Sequence, residues 1–301
     1  MKAVRINEWG QPVQIEDLPQ PSVGNDDVLV RVRAASVNPA DGAIAAGYMK
    51  MMYSTPLTLG TDFSGEVVAT GKDVQNVKPG DAVYGMSMAR GTFAEYAVVK
   101  ANEVARKPQS IDDVQAAAVP LTGLSAWQTL FNLARLQSGE RVLILGAAGG
   151  IGSIAVQLAK AQGAYVIGLD RGDKAAFVQS LGADEFIDGS SQRFEDVAGA
   201  VDVVLDLVGG DMVDRSLVFL KPGGRYVTTA AMLSPDAGKD QGVVAMGTFT
   251  QPNAEELTKL AEAIDQGKVK VFIAGTYPLE DAQTALYAKP QQPGKVVITV
   301  Q

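Results

Sequence analysis

Residues 141–170 constrain this chain more than any other stretch. They read RVLILGAAGGIGSIAVQLAKAQGAYVIGLD. Val142 to Leu145 form a short apolar run, the pattern of a parallel strand covered on both faces. Gly146, Ala148, Gly149, Gly150, Ile151 and Gly152 follow at once. Glycines allow a tight turn and let a pyrophosphate approach the amides of a helix start, where the helix dipole favours negative charge. Ile154, Ala155, Leu158 and Ala159 then recur at helical spacing. Gly163 ends that helix, and Tyr165 to Leu169 make a second strand. Asp170 lies 18 residues beyond Gly152, close to the roughly 20 expected of an acid that meets a ribose. The glycine spacing is a variant of G-x-G-x-x-G. The context of strand, helix and acid favours a dinucleotide over a turn that merely packs a helix onto a sheet.

Composition narrows the chemistry. The 301 residues suffice for two domains with real cores. A net charge of −8 argues against nucleic acid or an anionic membrane as partners. With neither cysteine nor histidine, no disulfide, thiol nucleophile or serine–histidine machinery can form. A catalytic zinc site would have to be built from carboxylates alone, so no metal is expected. Acid–base work falls to Tyr, Lys, Asp, Glu, hydroxyls or water. The first ten residues, MKAVRINEWG, lack the apolar centre of a signal peptide. The uncharged stretches 114–134 and 142–159 are interrupted by Pro120, polar residues and glycines, and read as protein interior rather than membrane spans. Cytoplasm is the expected location.

Residues 1 to about 118 are predicted to be β-rich, with strands at 28–34, 63–69 and 81–84 and alternation over 92–99. From Ile111 the period becomes helical, with Val114, Ala117, Ala118, Leu121 and Leu124 on one side. Strands at 202–207 and 224–229 and a helix at 212–220 continue a doubly wound parallel sheet. A helix at 251–266, a strand at 269–274, a short helix at 279–287 and a final strand at 295–300 complete the prediction.

Several blocks carry a family resemblance: VRAASVNPADGAIAAG (32–47), LGTDFSGEVVATGKDVQNVKPGDAVYG (59–85), GTFAEYAVV (91–99), AAAVPLTGLSAWQTL (116–130), the glycine turn, LGADEFID (181–188), and the closing YPLEDAQTAL and GKVVITV. In that order the chain resembles the medium-chain dehydrogenase/reductase superfamily. Within it, the chain is similar to the zinc-independent quinone oxidoreductase (zeta-crystallin-like) and enone reductase branch. The resemblance implies an α/β protein: a GroES-like β-rich catalytic domain at 1–118 and 267–301, and a Rossmann domain at 119–266. The cleft between them would hold nicotinamide and substrate. In the zinc branch a Cys begins the motif that here reads Asn38-Pro39-Ala40-Asp41, and a His sits in the motif Gly60-Thr61-Asp62. Asn38 and Thr61 occupy those ligand positions, and the lobe for structural zinc is absent.

The same resemblance places Asn38 near the nicotinamide, although Asn-Pro is equally a turn signal. Tyr48 and Tyr53, in GYMKMMYSTP, could orient a carbonyl or donate a proton; both also suit packing. Met49, Met51 and Met52 could form an adaptable wall. Thr122 matches a position near the nicotinamide ribose, or is a hydroxyl bonded to its own helix. Val208, Gly209 and Gly210 follow one strand, and Thr228 and Thr229 end the next, so both loops are expected to face the cofactor. Ala245, Met246, Gly247 and Phe249 are candidates for the carboxamide and substrate region. Asp170 favours NAD by repelling a 2′-phosphate, whereas Arg171 and Lys174 could clasp one. NADP(H) is slightly favoured over NAD(H).

The implied activity is metal-free, NAD(P)H-dependent hydride transfer to a quinone or α,β-unsaturated carbonyl. The alternatives are a dinucleotide-binding redox sensor or structural protein without turnover, and a metal-independent alcohol or aldehyde oxidoreductase. A homodimer is a further expectation from relatives.

Overall fold

A computed structural model describes residues 1–300. In chain order the elements are β1 (Lys2–Ile6), β2 (Gln14–Asp17), β3 (Asp27–Ser36), α1 (Pro39–Ala45), β4 (Leu57–Thr58), β5 (Asp62–Thr70), β6 (Ala82–Met86), β7 (Tyr96–Lys100), β8 (Val104–Arg106), α2 (Asp113–Ala117) and α3 (Pro120–Trp127). Next come β9 (Arg141–Leu145), α4 (Gly150–Ala161), β10 (Tyr165–Asp170), α5 (Ala175–Ser180), β11 (Glu185–Asp188), α6 (Phe194–Val197), β12 (Val201–Asp206), α7 (Met212–Phe219), β13 (Leu220–Thr228) and β14 (Val244–Gly247). The chain ends with α8 (Ala254–Asp265), β15 (Ile273–Pro278), α9 (Ala282–Leu286) and β16 (Lys295–Thr299). Two compact units result. One comprises 1–121, 252–267 and 271 to the C-terminal end; the other comprises 122–251 and 268–270.

The first unit is β-rich. Its larger sheet runs β15-β16-β3-β5-β6-β8, with β7 also paired to β3; a smaller sheet runs β2-β1-β4. The alternation in VLVRVRA works as expected: Val28, Val30 and Val32 are buried, while Arg31 and Arg33 reach out toward Glu66 at 2.8 and 3.8 Å. The second unit carries a six-stranded sheet, β11-β10-β9-β12-β13-β14. All its pairings are parallel, the arrangement of a doubly wound dinucleotide-binding fold. Its apolar strands pack with Phe194, Phe219 and Tyr226 into one core.

Three predicted elements are corrected. The helix expected from Ile111 is two helices, because Pro120 has no N–H to donate and restricts the residue before it. The alternating run 92–99 is a strand only from Tyr96, since Gly91 turns with φ +95° and Phe93 bonds instead to Leu59 and Val4. The strand expected at 269–274 lies at 273–278, where β16 supplies a parallel partner.

Candidate active site

In the second unit the strand register gathers residues expected to meet a dinucleotide. Leu145 pairs with Leu169 and Asp206, Asp206 with Thr228, and Thr228 with Gly247. The carboxyl ends of β9, β10, β12, β13 and β14 therefore share one edge of the sheet. Gly146 turns there with φ +82°, and α4 starts after Gly149, whose position as N-cap brings no side-chain cap. The first-turn N–H groups of a helix have no acceptor within it, so they are left for an anion. A Cβ on Gly152 would lie 2.1 Å from the Gly146 carbonyl oxygen; only glycine lets helix and turn approach this closely. The residues fit a pyrophosphate.

Around this cradle the acids work on the protein's own backbone. Asp170 accepts from the N–H of Ala148 (2.8 Å) and of Arg171 (2.9 Å), which holds the turn against the end of β10. Arg171 and Lys174 both reach Asp173, at 3.6 and 3.1 Å. Asp206, fully buried, accepts from the N–H of Val208 and Gly209 and from the Tyr226 hydroxyl. Burial and this carboxylate push the Tyr226 phenol far up. Beside the ends of β13 and β14 lies an open cavity of 840 Å³ lined by Thr229, Met232, Leu233, Met246 and Phe249.

In the first unit Asp41, Asp62, Lys295 and Arg90 form one cluster of largely buried charges. Asp62 accepts from Ser36 Oγ (2.8 Å), Asn38 Nδ2 (2.9 Å) and the Leu121 N–H (2.8 Å). Lys295 Nζ donates to Asn38 Oδ1 and to the Val37 carbonyl. Asp41 accepts from the Asn38 N–H at 2.8 Å and caps α1. Arg90 Nη1 reaches Asp41 at 3.1 Å and Thr61 Oγ1 at 2.8 Å. Burial raises both carboxyls, Asp41 to about 6, while nearby cations and donors pull the other way. Burial also lowers Lys295, against the field of the two aspartates. An amide, a hydroxyl and two cations surround the positions of the zinc ligands, and among the described residues no group of three or more Cys, Asp or Glu is placed to share an ion. This donor set does not fit zinc.

The expected residues thus fall into separate groups. Gly146, Ala148, Gly149, Gly150, Ile151, Gly152, Asp170, Val208, Gly209, Thr228 and Met246 meet at one sheet edge. Thr122 is buried on α3. Asn38 is 3% exposed, with both ends of its amide engaged by Asp62 and Lys295. Tyr48 is 85% exposed, which removes its packing alternative. Tyr53 packs on the core beneath Arg90, whose Cζ lies 4.9 Å from its ring centroid. Asp41, Asp62, Lys295, Arg90 and Asp206 escaped the sequence reading. For Asp206 a signal existed: an acid closing the apolar strand DVVLDL. The others come from segments up to 257 residues apart and share no local pattern.

Comparison with known proteins places this geometry in a family. Residues 24–109 match the alcohol dehydrogenase GroES-like domain, and residues 181–298 match the model described as zinc-binding dehydrogenase. The chain is 35% identical to the mitochondrial NAD(P)H oxidoreductase RTN4IP1 of Mus musculus, across 91% of this chain and 82% of that one. It is 33% identical to the chloroplastic NADPH-dependent alkenal/one oxidoreductase of Arabidopsis thaliana, across 92% and 73%. The solved quinone oxidoreductase of Coxiella burnetii superposes with a TM-score of 0.92 at 34% identity, covering 100% of this chain and 99% of that one. The chain belongs to the medium-chain dehydrogenase/reductase superfamily.

Proposed function

We propose that this chain is an NAD(P)H-dependent oxidoreductase that reduces a quinone or an α,β-unsaturated carbonyl without a metal. The observation that carries it is the glycine cradle at the uncapped start of α4, set among the carboxyl ends of five parallel strands. A bound reduced nicotinamide supplies hydride. The chain's part is to bind and orient: first-turn amides hold the pyrophosphate, and Asp206 fixes the loop at Val208 and Gly209. A conjugated acceptor spreads incoming charge over its own π-system and needs hydrogen bonds rather than a Lewis acid, so positioning and water exclusion supply much of the rate. The relatives named for NAD(P)H and for alkenal/one reduction support the acceptor class.

NADPH is the proposed cofactor, with the exposed Arg171 as its phosphate clasp; Asp170 is committed to backbone N–H groups. A homodimer in the cytoplasm completes the proposal. The composition without cysteine suits that compartment, while the two curated relatives are named mitochondrial and chloroplastic. The test follows NADPH and NADH oxidation with 1,4-benzoquinone, 9,10-phenanthrenequinone, an alkenal, a cyclic enone and an aldehyde, all in EDTA. Turnover of an enone or quinone is expected. Cofactor binding with no turnover of any acceptor would replace the enzyme reading by the sensor reading.

A further inference from the structure

We infer that the acceptor of this protein is a neutral carbonyl compound with an unbranched apolar tail, and that the tail lies in the cavity beside the ends of β13 and β14, against Met232 and Phe249. The inference rests on the quinone or enone reading above.

The cavity belongs wholly to the second unit. Its 840 Å³ fall within the roughly 300–1,000 Å³ of small-molecule sites. Its large apolar side chains are Leu133, Met232, Leu233, Met246 and Phe249, and none of its described lining residues carries a charge. A charged group would lose water there and gain no ionic partner, so the lining selects a neutral ligand. Leu233 packs on the core of the unit, whereas Met232 and Phe249 stand 83% and 72% exposed. Large apolar side chains left open beside a cavity mark a binding surface, and methionine adapts to chains of varied shape. Hydrogen bonds fix the walls before any ligand arrives. The Ala230 N–H donates to Thr228 Oγ1 at 2.9 Å, and the Thr248 N–H to the Thr228 carbonyl at 3.0 Å. Gln128, in the π-helical turn Gln128–Leu133, clamps Gln251 both ways. Its Nε2 donates to the Gln251 carbonyl at 2.7 Å, and its Oε1 accepts from the Gln251 N–H at 3.0 Å. Such turns recur at functional sites.

The chemistry suits this placement. In a 2-alkenal the tail is attached to the β-carbon, the atom at which hydride from reduced nicotinamide forms a C–H bond. The electron pair of the C=C bond moves through the carbonyl, leaving an enolate whose α-carbon takes a proton from water; the nicotinamide is oxidised. The cavity lies where Thr229 follows β13 and Gly247 ends β14, at the sheet edge proposed for the cofactor. A tail seated there holds the β-carbon at that edge, so binding of the part that does not react orients the part that does.

The test compares NADPH-driven kcat/KM for 2-butenal, 2-hexenal and 2-nonenal in wild type and in Met232→Glu, which puts a charge on the lining at an exposed position. Wild type should gain about twofold to fourfold per added methylene, and so about tenfold or more from 2-hexenal to 2-nonenal. Met232→Glu should lose most of that gain. An equal gain in both proteins, or none in wild type, overturns the inference. A second readout does not depend on turnover. 1-Nonanol, which carries the tail without a reducible group, is titrated into cofactor-free wild type with isotope-labelled methionine methyls and followed by NMR. The Met232 and Met246 signals should shift and saturate, while those of Met51, Met52 and Met88, exposed elsewhere on the chain, should stay in place. Equal shifts at every exposed methionine would mean partition onto the surface. A silent Met232 would mean that something else covers the cavity, such as a second copy of the chain. Either result overturns the inference. If wild type reduces no quinone or enone, the functional reading fails, and the nonanol titration still decides whether the cavity takes an apolar chain.

Discussion

At the scale of single residues, the buried cluster of the first unit shows how polar groups are tolerated inside a protein. Two carboxylates and two cations balance in charge, and Asp62 gathers three hydrogen bonds besides. A buried charge stripped of such partners is strongly destabilising. Asp41 gives a pH signature. Its folded value of about 6 lies above the usual 3.8, so between those limits the folded chain holds a proton that the unfolded chain releases. By linkage its contribution to stability is complete below the unfolded value and is lost as pH rises through about 6. Asp41→Asn should therefore gain stability relative to wild type between about pH 4 and 6. Urea unfolding across that range checks it, and a difference that stays flat would show that Asp41 does not titrate there.

At the scale of elements, the turn between β9 and α4 is set by contact rather than by propensity. The helix begins on three glycines in four residues, Gly149, Gly150 and Gly152, a poor helix start by intrinsic preference. What holds it is closeness: Gly152 against the Gly146 carbonyl, and Gly168 of β10 so near the turn that a Cβ would lie 3.1 Å from the Cβ of Ala147. Gly152→Ala should push α4 from the turn and weaken NADPH binding at least tenfold, because the amides no longer converge on one phosphate. Isothermal titration would measure this; unchanged affinity would mean that the cradle is not where the cofactor binds. Helices α8 and α7 use different means. Asn253 caps α8 through the N–H groups of Glu255 and Glu256, and Arg215 of α7 pairs with Glu195 and stacks on Phe194. That pairing draws the Glu195 carboxyl down to about 2.

At the scale of the whole molecule, each unit has its own core, yet the first is assembled from separated parts of the chain. The residues proposed to bind the dinucleotide belong to the second. A cofactor bound only by folded protein adds about 2.7 kcal/mol when present at about one hundred times its dissociation constant. NADPH at that excess should therefore raise the thermal midpoint by several degrees, and at the same concentration NADH should raise it less. Equal shifts from the two would set aside the phosphate clasp at Arg171. The shift should also persist in EDTA.

The dinucleotide fold was legible in the sequence because its signal is local. Strand, turn, helix and acid follow one another within residues 141–170, each marked by period or by glycine, and backbone geometry leaves few ways to arrange them. The family blocks carried the acceptor class in the same way. Tertiary structure decided what depends on distant partners. It placed β15 by its ladder with β16, and split one helical run at Pro120. It also tied Asn38 between Asp62 and Lys295. Arg90 is the clearest case. Nothing in MARGTF marks an anchored guanidinium, because its pairing and burial exist only once Asp41, Thr61 and Tyr53 have been brought to it.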